Sequence, residues 1–231
     1  KLEGDDFGSF EDALASYLAT TGLKPDHACF ALAGPIRDGE VLLTNRRWHV
    51  SARHVSDRFG IRAVNLLNDF AAMARAVPEF DPATFETIVD GTPRKGAPVL
   101  VAGPGTGFGV ATLLGSDAST WHVLNGEGGH VAFSPRDETE LELARILLAK
   151  HGYVSNELVA SGSGLNAVHE AFCEIHGRTY QEIGPQEMRR LADAGDVMFR
   201  SLIQLRANTV MSAVGDLVLA NGALGGVVLA G

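Results

Sequence analysis

Gly103-Pro104-Gly105-Thr106-Gly107-Phe108-Gly109 places a glycine at every second position between two apolar runs, Pro98 to Ala102 and Val110 to Leu114. No register of it fits the GxGxxG fingerprint of dinucleotide-binding folds, because counting from Gly103 puts Phe108 where the third glycine is needed. It is not a P-loop either, since no lysine follows the glycines. A β-like run comes after it rather than a helix, so the segment predicts strand, glycine turn, strand. Such a turn exposes successive backbone N–H groups that can receive an anion, with the Thr106 hydroxyl as a further donor. It can equally be a tight hairpin whose glycines supply positive φ. Both readings stand at this point.

Outward from the glycines, the chain alternates strand-like and helix-like stretches. Ser9 caps a predicted helix to Ala19, with Phe10, Leu14, Tyr17 and Leu18 as its apolar stripe. His27 to Ala33 reads as a buried strand, and Glu40 to Thr44, after the Asp38-Gly39 turn, as its hairpin partner. Ser51 opens a helix that stops at Gly60. Arg62 to Leu67 is a further strand, and Asp69 starts a helix ended by Pro78. Phe80 to Gly96 is richer in Pro, Thr and Gly and marks a domain junction. Ser134-Pro135-Arg136-Asp137 predicts a helix entry with Ser134 as cap, and the helix to about Lys150 is apolar on more than one face (Leu141, Ala144 and Leu148, but also Leu143, Ile146 and Leu147) and should be well buried. Gly164 to His176 is helical, as is Pro185 to Ala220 with a break at Gly195. Asn221-Gly222 ends that helix, and Ala223 to Ala230 enters a last strand. The interspersed order indicates a mixed α/β architecture.

Composition narrows the function classes. Of 231 residues, 28 are acidic and 19 basic, a net charge of −9 that offers no basic field to a nucleic-acid backbone. No apolar run reaches the ~20 residues of a membrane helix, and the acidic start lacks the build of a signal peptide. Cys29 and Cys173 are isolated thiols without metal or disulfide spacing, which reads as cytoplasmic and metal-free. Glycine is in surplus, 27 residues, roughly 12% against a usual ~7%.

Three acids and a histidine stand out. Asn68-Asp69 joins a strand to a helix, where an Asx cap is the plain reading. The carboxyl end of a strand is also where open α/β sheets aim side chains into a cleft. In Glu127-Gly128-Gly129-His130, the two glycines suit a close approach of backbone to a ligand. The acid and imidazole supply acceptors and a donor for vicinal hydroxyls, although a lone histidine is more often a surface or satisfied core residue. Glu157, two residues after Ser155, is by itself a first-turn helix acid.

Leu67-Asn68-Asp69-Phe70, Gly103 to Gly109, Gly126-Glu127-Gly128-Gly129-His130, Ser155-Asn156-Glu157 and Ser161-Gly162-Ser163-Gly164 occur in the order and spacing of bacterial glucokinases. These belong to the actin/hexokinase-like superfamily. The chain resembles that family along nearly its whole length, including Ala33-Gly34-Pro35-Ile36, Leu43-Thr44-Asn45 with Trp48, and Gly225 to Gly231. The resemblance implies a two-lobed, ribonuclease H-like α/β fold of mixed sheets flanked by helices. It sets a small lobe at 1–79 and a large lobe at 80–231, incomplete at both ends. It implies ATP-dependent phosphorylation of glucose at the 6-hydroxyl, with Mg²⁺ accompanying the nucleotide and no metal site of the protein's own. Asp69 matches the family's catalytic base, and Asn68, Glu127, His130 and Glu157 match its sugar-binding residues. Gly103, Gly105, Thr106 and Gly107 match a phosphate-binding segment. Glucose and ATP are then the partners, a homodimer the assembly, the cytoplasm the location, and nucleic acid and membrane are excluded.

The family's N-terminal Asp-x-Gly-Gly-Thr turn does not occur in this sequence, and its C-terminal segment would follow Gly231. The expectation is that these 231 residues alone phosphorylate glucose poorly or not at all. Two rival readings are a sugar kinase of the repressor/kinase superfamily and a non-catalytic sugar-binding module. The first usually carries a cysteine-rich zinc site after the histidine, whereas neither cysteine here lies near His130. The second has no need of a positioned base at Asp69.

Overall fold

The computed structural model describes residues 1–43, 46–115, 117 and 120–230. Thr44 and Asn45, which end one expected strand and belong to one family-like motif, lie outside the described residues, as does Gly231. The chain divides into two compact units, Lys1–Met73 and Ala74–Gly231.

In the first unit, α1 (Phe10–Thr21) begins where Ser9 Oγ accepts from the Asp12 N–H and ends at Gly22 in the left-handed region. Then come β1 (His27–Leu32), β2 (Glu40–Leu42), β3 (His49–Ser51), α2 (Ala52–Phe59), β4 (Ala63–Asn68) and α3 (Asp69–Ala76). β2 is not the hairpin partner of β1. It pairs antiparallel with β3, while β1 pairs in parallel with β4, Leu32 opposite Asn68. The Asp38-Gly39 turn closes only a local Arg37–Glu40 bridge. The edge of β1 goes to the strand that returns after α2, as a parallel pair requires a crossover. Leu14, Leu32, Val41, Val50, Val55, Ile61 and Leu66 form the core of this unit.

The second unit is built on a four-stranded sheet of β5 (Val99–Pro104), β6 (Phe108–Leu114), β7 (His122–Gly126) and β8 (Gly226–Leu229), in the order β7-β6-β5-β8. β6 runs antiparallel to both neighbours, and β8 is parallel to β5. Leu100, Val101 and Ala102 are all buried, as in a strand covered on both faces. β7, an exposed edge strand, has no counterpart in the sequence expectations. Its short polar run carries too few apolar residues to signal a strand.

Five helices complete the unit: α4 (Glu138–His151), α5 (Asn156–Ala160), α6 (Leu165–Ile175), α7 (Pro185–Asp193) and α8 (Val197–Asn221). α4 starts three residues later than Ser134 would have it. Asp137, in extended backbone, accepts from the Glu140 N–H at 2.8 Å and takes the capping role. α4 is also not buried all round: Leu143 and Leu147 are 0% exposed, whereas Leu141 and Leu148 are 55% and 53% exposed. The break between α7 and α8 falls at Gly195, whose φ of 103° is open to glycine alone at little cost. Val210, Ala213 and Val214 of α8 pack on Leu100, Ala102, Phe108 and Val110 of the sheet. Asn221 Nδ2 donates to Thr112 Oγ1, tying the end of α8 to β6.

Candidate functional site

Asn68 and Asp69 stand at the junction of β4 and α3 in the first unit. Asn68 Oδ1 accepts from the N–H groups of Phe70 and Ala71 at 3.0 and 3.1 Å, so the capping role falls to Asn68. Its Nδ2 donates to the Gly34 carbonyl at 3.5 Å. Asp69 is exposed, and its Oδ1 also accepts from the Phe70 N–H, at 2.9 Å. With Asn68 closing the helix start, the Asp69 carboxylate is presented outward from the carboxyl end of β4.

The remaining expected residues belong to the second unit. The glycine segment is the turn between β5 and β6, with the Gly105 N–H donating to the Gly107 carbonyl at 2.8 Å. None of its four glycines has positive φ, so the hairpin does not use them for left-handed backbone. Their smallness serves close approach instead. A Cβ on Gly107 would stand 2.7 Å from Glu157 Oε2. Gly103 is buried within β5 beside the Ala230 carbonyl, whereas Gly105 faces open space. Thr106 is exposed at the tip. Among the described residues its N–H and that of Gly107 donate to no backbone carbonyl.

Glu127 follows β7 and leads into the single 3-10 turn Gly128–His130. The His130 N–H donates to the Glu127 carbonyl at 2.9 Å, and the Tyr153 hydroxyl holds the His130 carbonyl at 2.7 Å. The turn lies against β6 so closely that a Cβ on Gly129 would come within 2.2 Å of the Phe108 carbonyl. Both the Glu127 and His130 side chains are exposed. Glu157 lies in the first turn of α5, which is capped by Ser155, and it joins the two segments. Its Oε2 accepts from the Phe108 N–H at 2.7 Å, and its Oε1 stands 3.7 Å from His130 Nε2. Glu157, His130 and the glycine hairpin are therefore assembled by one carboxylate.

A cavity of about 670 Å³ opens beside the hairpin, lined by Pro104, Gly105, Gly162, Asn166, Glu182 and Arg206 among others. The Ser161–Gly164 turn connects it to the glycines: the Gly162 N–H donates to the Gly105 carbonyl at 2.8 Å, and the Ser163 N–H to the Thr106 carbonyl at 2.9 Å. Asn166, Glu182 and Arg206 escaped the sequence reading, because nothing in their local sequence sets them apart from ordinary helix and loop residues. Burial lowers the pKa of Arg206, yet a guanidinium remains charged in proteins. Among the described residues no group of three or more His, Cys, Asp or Glu could hold a metal ion. No helix among them is long and apolar enough to cross a membrane.

The glucokinase family model matches residues 1–231. A glucokinase from Caulobacter sp. (strain K31) is 40% identical, covering 99% of this chain and 70% of that protein. One from Chromobacterium violaceum is 36% identical, covering 100% of this chain and 66% of that protein. The crystal structure of glucokinase from an Antarctic psychrotroph superposes with a TM-score of 0.80 at 36% identity, over 97% of this chain and 70% of that one.

Proposed function

The chain belongs to the glucokinase family, and from that premise we propose that it transfers a phosphoryl group from ATP to the 6-hydroxyl of glucose. Of the residues this reading calls on, Asn68 and Asp69 fall in the unit 1–73, and Glu127, His130, Glu157 and the glycine hairpin in the unit 74–231. Asp69 is the base: it orients the sugar hydroxyl and takes its proton as the new O–P bond forms and ADP departs. Phosphoryl transfer passes through a loose transition state, so positioning and charge stabilisation do most of the work. Asn68, Glu127, His130 and Glu157 receive the sugar hydroxyls. A sugar lacking one would leave their polar groups unpaired, which is the basis of selectivity.

Thr106 and Gly107 offer N–H groups at the hairpin tip to the nucleotide phosphates. Gly105 leaves room for them, and Gly103 lets β8 come close beneath. The neighbouring cavity takes the nucleoside. Mg²⁺ would accompany the nucleotide, where it offsets phosphate charge. No protein ligand is assigned to it. A homodimer in the cytoplasm is part of the same proposal.

The observation that carries this reading is the Glu157 carboxylate. One oxygen closes the glycine hairpin at Phe108 and the other faces His130. On this reading the sugar site and the phosphate site share a single side chain. The test is a coupled ADP-release assay of the whole protein across several hexoses with ATP. Glucose is expected to give the highest kcat/KM, and absence of ADP release with every hexose would overturn the reading.

A further inference from the structure

Arg206 lies midway along α8 and is half-buried, with its guanidinium turned toward α5. Nε donates to the Val159 carbonyl at 3.2 Å, and Nη2 donates to the carbonyls of Ala160 and Ser161 at 2.9 and 2.5 Å. These acceptors close the C-terminal end of a five-residue helix, where the last carbonyls have no intrahelical donors and the helix dipole favours a cation. Burial lowers the Arg206 pKa with no carboxylate offsetting it. Its charge is thus engaged by backbone carbonyls.

The segment that Arg206 holds runs directly into the turn that bonds to the glycine hairpin. Ser161 is fully buried, and its hydroxyl lies 2.8 Å from that of Ser163. The next two N–H groups, of Gly162 and Ser163, grip the carbonyls of Gly105 and Thr106. The other end of α5 is fastened independently. Ser155 caps it, the Asn156 N–H donates to the Val131 carbonyl, and the Phe133 N–H donates to the Val154 carbonyl. The sugar-facing end of α5 is thus held by the chain around His130, and the hairpin-facing end by α8.

We propose that Arg206 is a positioning residue for the phosphoryl donor: by clamping residues 159–161 it fixes the turn that sets the height and orientation of the Gly105–Thr106 hairpin. This inference rests on the glucokinase reading above. The fork geometry is essential to it. Two guanidinium nitrogens satisfy three divergent carbonyls at once, which a lysine ammonium on a flexible stem does not reproduce. Removing the clamp loosens the hairpin side of α5 and leaves the sugar side anchored.

The test is steady-state kinetics of the whole protein with ATP and glucose varied separately, for wild type, Arg206→Lys and Arg206→Met. Glucose binding without nucleotide is measured alongside. Both variants are expected to raise KM for ATP by about tenfold or more while the glucose Kd stays within about threefold, because small misplacements of a positioned group are costly. Wild-type KM for ATP in Arg206→Lys would overturn the proposal, since a bare charge would then suffice. Equal loss of ATP and glucose affinity would overturn it too, by making the residue a general support of the fold. Should Arg206→Met fail to fold, Arg206→Lys alone decides. A wild-type protein without hexose-dependent ADP release would instead refute the glucokinase reading, a separable result.

Discussion

Gly107 and Glu157 constrain each other at one contact. The space that a Cβ would need at Gly107 is filled by the carboxylate oxygen that accepts from Phe108. Gly107→Ala should push that carboxylate away and disturb the hairpin and the His130 side together, lowering kcat/KM by about tenfold or more. Gly105 has open space and negative φ, so Gly105→Ala should leave folding stability within ~0.5 kcal/mol. Kinetics check the first and urea titration the second; wild-type kcat/KM in Gly107→Ala, or a stability loss well above ~0.5 kcal/mol in Gly105→Ala, would contradict the contacts assigned to them. His169 carries a second prediction at this scale. It is 2% exposed, packed between Tyr180 and Phe199, and its Nδ1 has no partner. Desolvation lowers its pKa from the ordinary 6.5. The unfolded chain therefore binds the proton more readily. The stability this neutral imidazole contributes is present above about pH 6.5 and falls away as the pH drops toward the lowered folded pKa. Denaturation at pH 7.5 and 5.5 should show a smaller loss in His169→Leu than in wild type, and equal losses would count against it. The residues proposed for the site stand out in the sequence because each sits in a short motif. The reason for the glycines was not, since sequence cannot say whether a glycine serves φ or close approach until the approaching group is known.

Among the elements, α4 tests how a helix with leucines on several faces chooses its core side. Leu147 is fully buried among Leu143, Phe172 and Leu202, and its neighbour Leu148 is more than half exposed. Leu147→Ala should cost ~2–5 kcal/mol, and Leu148→Ala within ~0.5 kcal/mol. At the same helix, Asp137→Ala should cost ~1 kcal/mol as a lost cap and Ser134→Ala little. Chemical denaturation of the four variants measures both contrasts, and a reversed order in either pair would refute the assignment. The caps at Ser9 and Ser51 and the helix stop at Gly60 were legible in the sequence because a cap is a local hydrogen bond, whereas the stop at Gly22 falls three residues beyond the expected end at Ala19. Strand partnership was not. A run such as Glu40 to Leu42 carries no record of which strand completes it, and β1 found its partner only after α2 had turned the chain. The polar edge strand β7 was invisible because it buries too little to enforce a pattern.

At the scale of the whole molecule, the residues proposed for the site divide between the two compact units. Asn68 and Asp69 belong to the first. Glu127, His130, Glu157 and the glycine hairpin belong to the second. That division was legible only as motif order; what joins the second group is a set of long-range hydrogen bonds through Glu157, Gly162 and Ser163 that no local pattern announces. The proposed roles make binding and chemistry separable by mutation. Loss of the base should leave the sugar contacts of the second unit intact, whereas loss of the Glu157 carboxylate should impair both sugar and nucleotide binding. The most direct test is ADP release by the whole protein with glucose and ATP, wild type against Asp69→Ala, with glucose affinity measured in parallel. Turnover is expected to fall by at least ~100-fold, the usual contribution of a positioned base, with glucose affinity nearly unchanged. Asp69→Ala turning over at the wild-type rate would contradict the account.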